Sequence, residues 1–140
     1  MTLRPVVEFR SGFPDDTVED DDEIVQWPGR NIAEFLKATL ESLGYRVSEP
    51  VHAHEHGWEL DIWRGNKRLW LQISVLDAEE CYLTAENKTS WLWPDVKLFR
   101  AFLSDLQQIL EADSRFSPIG WYPKGGPTRG VAPTSGPFDA

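Results

Sequence analysis

Apolar and polar positions alternate through the middle of the chain. Trp58, Leu60 and Ile62 interleave with Glu59, Asp61 and Trp63. Leu69, Leu71, Ile73 and Val75 interleave with Trp70, Gln72 and Ser74, and Cys81, Leu83 and Ala85 with Tyr82, Thr84 and Glu86. A period of two is that of a strand with one face buried, so the spacing predicts strands over 58–63, 68–76 and 81–86. Gly65-Asn66 separates the first two runs and is a hairpin turn signal. One face of this sheet is aliphatic and must be covered. The other carries Glu59, Asp61, Trp63, Trp70, Gln72, Tyr82 and Thr84.

On either side the period changes. Over 31–43, Ile32, Phe35, Leu36, Leu40 and Leu43 fall on one helical stripe with Glu34, Lys37 and Glu41 opposite, and Gly44 follows as a stop. Pro94-Asp95 opens a second helix whose apolar face is Val96, Phe99, Phe102, Leu103, Leu106, Ile109 and Leu110. Short apolar runs at 6–9, 45–47 and 116–122 read as further strands. These elements predict an α+β two-layer sandwich: a mainly antiparallel sheet of about four to six strands with both helices on one face. Residues 1–124 form the expected single domain, with an acidic loop at 15–27. Residues 125–140, rich in Gly, Pro, Ser and Thr, read as a flexible tail.

Charge changes this picture at one place. Seven of the nine residues over 15–23 are carboxylates: Asp15, Asp16, Glu19, Asp20, Asp21, Asp22 and Glu23. They supply most of a net charge of −9, from 23 acidic and 14 basic residues. Like charges at this density repel, which points to a mobile loop between the first strand and the first helix. An acidic chain is a poor ligand for nucleic acid, whose affinity comes from neutralised phosphates, and the same argument disfavours anionic membranes. A basic protein partner is favoured. Cys81 is the single cysteine, which rules out an internal disulfide and makes a reducing cytoplasm the expected location. The first residues lack the apolar stretch of a secretory signal, and no apolar run reaches the ~18 residues of a membrane span.

Several of these residues fall into a pattern: Phe13-Pro14, Gly29-Arg30, Ala33-Glu34-Phe35-Leu36, Gly44-Tyr45, Glu55-His56-Gly57-Trp58, Leu69-Trp70, Asp113-Ser114-Arg115 and Gly120-Trp121-Tyr122. Over roughly residues 6 to 122 the chain thereby resembles a group of small uncharacterised bacterial proteins with an acidic loop and a Gly-Trp strand motif. The turn before Gly-Trp in that group reads Glu-Asp-x-Gly-Trp, whereas His54 and Glu55 hold the acidic pair here. The resemblance implies no function.

Candidate chemistry is sparse. His52, His54 and His56 alternate, so on a strand they share one side and, with Glu55 or Glu59, resemble the start of a metal site. Same-face neighbours on a strand stand ~6.6–7 Å apart, so only two imidazoles reach one ion unless the segment bends. On the EF-hand template the acidic run offers Asp15, Thr17, Glu19 and Asp21 at positions one, three, five and seven. It fails at position six, Asp20 in place of Gly, and at position twelve, Gln26 in place of Glu. Glu59 and Asp61 project together beside Trp63 and Trp70, as paired carboxylates do in glycosidases and on any solvated sheet face. Cys81 lies on the aliphatic side of its strand and reads as a core residue. No nucleophile elbow, phosphate loop or dinucleotide fingerprint is present, and no catalytic residue or cofactor is expected.

The reading that follows is a non-catalytic bacterial protein-binding module, such as an immunity protein neutralising a basic toxin. Its contacts would be Asp20, Asp21, Asp22, Glu59, Asp61, Trp63, Trp70 and Tyr82, with charge steering the encounter and aromatics anchoring it. Two alternatives stand beside it: a small metal-dependent hydrolase using the 52–59 His/Glu cluster, and a homodimer packing its Trp63 and Trp70 faces.

Overall fold

The alternation in the middle of the chain is realised as three long antiparallel strands. A computed structural model describes residues 2–53 and 57–139. In chain order it contains β1 (Thr2–Leu3), β2 (Val6–Ser11), β3 (Val18–Asp20), β4 (Glu23–Gln26), α1 (Arg30–Ser42), β5 (Arg46–Val47) and β6 (Val51–His52). There follow β7 (Trp58–Arg64), β8 (Lys67–Asp77), β9 (Glu80–Asn87), α2 (Val96–Glu111), β10 (Phe116–Tyr122), a 3-10 turn (Gly126–Arg129) and β11 (Phe138–Asp139). The main sheet is antiparallel and ordered β10-β2-β9-β8-β7-β5, with β6 also on β7. The α+β class is as expected. The sheet has seven strands where about four to six were expected. The addition is β6, two residues that share the outer edge of β7 with β5.

Register explains the core. Leu60 pairs with Leu71, Ile73 with Leu83, Leu83 with Val7, and Val7 with Trp121, so inward positions line up across five strands. They join one buried cluster with Ile32, Ala33, Leu36 and Leu40 of α1 and with Phe99, Phe102, Leu103, Leu106, Ile109 and Leu110 of α2. Each such Leu, Ile or Phe side chain contributes ~1.5–3 kcal/mol on leaving water, and this burial holds the layers together.

The pattern residues of the sequence have structural roles. Gly57 has φ +99°, and a Cβ there would sit 2.0 Å from the carbonyl oxygen of Ile73. Only glycine lets the chain pass β8 so closely before entering β7. Asp113 accepts from the Arg115 guanidinium at 3.0 and 2.7 Å, and this clamp lays Arg115 over Phe13 at 4.0 Å and Phe35 at 5.0 Å. Those rings pack with Phe116 at 5.2 and 5.8 Å, tying the segment after β2 to α1 and β10.

Two segments differ from their sequence reading. Residues 15–27 form no unstructured loop, because β3 and β4 make a separate hairpin. Asp21 and Asp22 are its two turn residues, with φ of 50° and 67°. Positive φ at both central residues is the geometry that matches strand twist in a two-residue hairpin, and Asp tolerates it better than most residues. The C-terminal segment is docked rather than flexible. β11 pairs with β1, and Thr134 exchanges backbone hydrogen bonds of 3.0 and 2.9 Å with Trp121. The Arg4 guanidinium donates to the carbonyls of Trp121 and Ala132, while its own N–H donates to the carbonyl of Pro137. Phe138 packs against the core. One half-buried aromatic and a row of backbone bonds hold a segment whose composition alone carries little apolar area.

Candidate functional site: an acidic hairpin beside an apolar cavity

The acidic run divides into two parts with different jobs. Asp15 folds back on Thr17, accepting from its amide at 2.9 Å and its hydroxyl at 2.6 Å, and these two bonds hold the Asp15 carboxyl below its usual range. Asp16 reaches α1. Gly29 precedes that helix in the left-handed region and has no side chain to cap it, and the first turn of α1 has no acid. The Asp16 carboxylate fills the role: it accepts from the Gly29 N–H at 2.9 Å and the Asn31 N–H at 2.8 Å. A negative charge there also complements the positive end of the helix dipole.

The other five acids belong to the hairpin. Asp20 and Glu23 face each other across it. All of Glu19, Asp20, Asp21, Asp22 and Glu23 are exposed. Among the described residues, none of these side chains accepts a hydrogen bond or joins an ion pair. The β8–β9 turn adds Asp77, Glu79 and Glu80 at the same end of the molecule, with Asp77 accepting from the Glu79 and Glu80 amides.

Between the hairpin, the start of α1 and this turn lies a cavity of about 370 Å³. Phe13, Ile24, Trp27, Ile32, Val75 and Leu76 supply its apolar lining, and Asp15 and Asp77 border it. Its position is fixed from several sides. The Trp58 indole donates to the Trp27 carbonyl at 3.0 Å, and Ser11 donates its N–H to the Ala78 carbonyl at 2.8 Å. An apolar cavity ringed by carboxylates suits a side chain that is apolar along its stem and cationic at its tip.

The remaining predicted contacts lie on the outer sheet face and are already engaged. Arg46 stacks over Trp63 at 4.2 Å, Lys88 stands over Trp70 at 5.8 Å, and Arg68 meets Asp61 at 3.3 Å. Asp61 pairs with Trp70 across the strands, and Glu59 with Gln72. Tyr82 lies toward the other edge, its single O–H proton shared between the Glu80 carboxylate at 2.8 Å and the Glu8 carboxylate at 3.1 Å. Burial and these carboxylates raise its pKa. Glu8 also accepts from Tyr122, at 3.3 Å. The 3-10 segment covers part of this face: Gly125, Gly126 and Pro127 border a second cavity of about 330 Å³ with Val6, Ser74, Tyr82 and Thr84. Asp61, Trp63 and Trp70 are therefore neighbours, whereas Asp20, Asp21 and Asp22 belong to a hairpin based at the opposite end of β8. The expected surface is two separate regions.

His52 stacks on Trp58 with ring centroids 5.0 Å apart. His54, Glu55 and His56 lie outside the described residues. Among the described residues no three His, Cys, Asp or Glu side chains gather as metal ligands. Neither cavity is lined by Glu59 or Asp61. Cys81 is buried and donates to the Asp77 carbonyl, and burial pushes its thiol up to about 11, far from a thiolate at neutral pH.

Comparison with family models, curated proteins and solved structures gives no match. One feature, two tryptophans that the sequence places in the loop before α2, carries no role in the sequence reading. Trp91, Leu92 and Trp93 are 91%, 65% and 84% exposed. The signal was there: three large apolar residues in a row, in neither period, between Ser90 and Pro94.

Proposed function

We propose that this chain is a non-catalytic binding module that captures a basic protein through its acidic hairpin and the cavity beside it, as an immunity protein captures a basic toxin. The observation that carries the reading is the composition of the hairpin turn. The backbone needs only residues that tolerate positive φ, and Asn-Gly would serve with less strain. Asp21 and Asp22 instead sit between Asp20 and Glu23, which pair across the strands. Like charges directly opposite each other oppose the pairing by ~0.2–1 kcal/mol. Charge is retained where the fold is better without it, which supports a role in attracting cations. Ile24 and Leu76 would then anchor an apolar segment of the partner in the cavity, so steering and anchoring belong to the same end of the molecule.

The test uses two variants, Asp20→Asn/Asp21→Asn/Asp22→Asn and Ile24→Asp, each checked for folding by circular dichroism. Capture of basic proteins from a bacterial lysate at ~0.15 M salt is compared with wild type. The hairpin variant should lose capture chiefly through slower association, and Ile24→Asp through faster dissociation. Equal capture by all three proteins, or capture of no basic protein by wild type, removes the reading.

A further inference from the structure

We propose that the Trp91-Leu92-Trp93 loop is an interfacial anchor for an anionic lipid bilayer. The loop protrudes at the start of α2 with Val96, itself 52% exposed, beside it. It is not a slack segment. Asp95 caps α2 by accepting from the Leu98 N–H at 2.9 Å, and its N–H donates to Thr89 at 2.7 Å. Asn87 donates to the Asp95 carbonyl at 3.1 Å, and the Trp93 N–H donates to Ser90 at 3.1 Å. A braced loop thus presents two indoles and a leucine outward. Trp is the residue enriched where apolar chains meet headgroups, because its ring is apolar and its N–H is a donor.

Charge selects the kind of surface. The segments that form this end of the sheet, 64–68 and 86–97, hold five basic residues (Arg64, Lys67, Arg68, Lys88, Lys97) and two acids (Glu86, Asp95), and Asp61 of β7 pairs with Arg68, so bases exceed acids by two. At the other end, 15–26 and 77–80 hold ten acids and no base. The net charge of −9, which disfavours an anionic membrane for the chain as a whole, is therefore segregated rather than spread. β8 runs from one end to the other, from Lys67 to Asp77. At ~3.3 Å per residue its ends are ~33 Å apart. Screening at physiological salt has a length of ~8 Å, so the base of the acidic hairpin lies about four lengths from anything bound at the tryptophan end. The local positive balance is what a bilayer there meets. No helix of the described residues is long and apolar enough to cross a membrane, so the mode is insertion of the loop into the interface. The opposite end then faces away from the surface, open to a basic partner.

The experiment is flotation with phosphatidylcholine vesicles containing about 30% phosphatidylglycerol, with brominated lipid as a quencher of tryptophan emission. Wild type should float and be quenched. Trp91→Ser/Trp93→Ser should lose about tenfold or more in partitioning, since interfacial binding scales with inserted apolar area. Lys88→Gln/Lys97→Gln should lose about fivefold per lysine on these vesicles and little on phosphatidylcholine alone. If the tryptophan variant does not fold, quenching of wild type by brominated lipid decides. Absence of flotation by wild type, or equal flotation of the folded tryptophan variant, overturns the proposal. So does light scattering that shows a Trp91- and Trp93-dependent dimer without lipid, which would assign the loop to a second copy. Capture of a basic protein by the acidic end is read separately and stands or falls on its own assay.

Discussion

Removing the Asp16 carboxylate should destabilise the whole domain, although the residue sits in a run of acids that reads as a solvated loop. Asp16→Ala deletes both acceptors of the Gly29 and Asn31 amides, at 2.9 and 2.8 Å. The Asn31 side chain accepts from the Ile32 amide at 2.8 Å and so takes a different donor, Gly29 has no side chain and the first turn has no acid, so nothing nearby replaces these two bonds. Loss of an N-terminal capping side chain costs ~0.5–2 kcal/mol. Loss of a charge from the helix N-terminus adds ~0.3–1 kcal/mol. Because the two bonds are charge-assisted and half-buried, the upper part of the range applies, a total of ~1.5–3 kcal/mol. For a domain of this size each kcal/mol moves Tm by ~3–4 °C, so Tm should fall by ~5–12 °C. Urea unfolding measured by circular dichroism reports the loss as a lower midpoint at unchanged slope. Asp16→Asn, which keeps one oxygen acceptor, should fall between wild type and Ala, and Asp15→Ala should lose less than Asp16→Ala. An Asp16→Ala midpoint within about 0.5 kcal/mol of wild type would refute the assignment of this carboxylate to the helix.

Three further outcomes follow from the same structure. Gly57→Ala places a Cβ 2.0 Å from the Ile73 oxygen and should cost ~3 kcal/mol or more by chemical denaturation, or prevent folding. All three tyrosines have raised pKa values: Tyr45, to about 12, by burial and its bond to Asp105, and Tyr82 and Tyr122 by burial and the carboxylates beside them. The unfolded chain loses these protons near the ordinary value of 10.0. Stability is therefore intact below that pH and drains as the pH rises toward 12, and absorbance at 295 nm should show tyrosinate appearing together with unfolding rather than before it. Asp21→Asn/Asp22→Gly should slow hydrogen exchange across β3 and β4, because it relieves both turn strain and repulsion. Faster exchange in that hairpin would contradict its turn geometry.

The parts of this fold legible from the sequence are those set by periodicity. β7, β8, β9 and both helices repeat an apolar spacing over seven residues or more, long enough to fix element and buried face together. What stayed hidden depends on single long-range contacts. Asp16 reads as one acid among seven, and its pairing with an amide fifteen residues away leaves no local trace. The tail reads as slack because Phe138 is one aromatic among prolines and glycines, and its partners lie at the far end of the chain. The candidate site divides along the same line. The acidic residues were visible as composition. The cavity beside them was not, since Phe13, Ile24, Trp27 and Leu76 meet only when the hairpin folds against the β8–β9 turn.

The position of β2 has a consequence for how the chain reaches this structure. The strand lies between β9 and β10, so neither of its edges is satisfied by anything near it in sequence. Glu8 meets Tyr82 across 74 residues and Tyr122 across 114. During synthesis β2 emerges before either partner strand, with Val7 and Phe9 unburied, while the β7–β8–β9 meander and the helices complete their shorter-range contacts. Loop closure over such lengths precedes any reward from pairing, which slows this step relative to the meander. The first long strand to be made thus waits for β9 before it can pair, β10 can join only after it, and until then it is the segment a chaperone would hold.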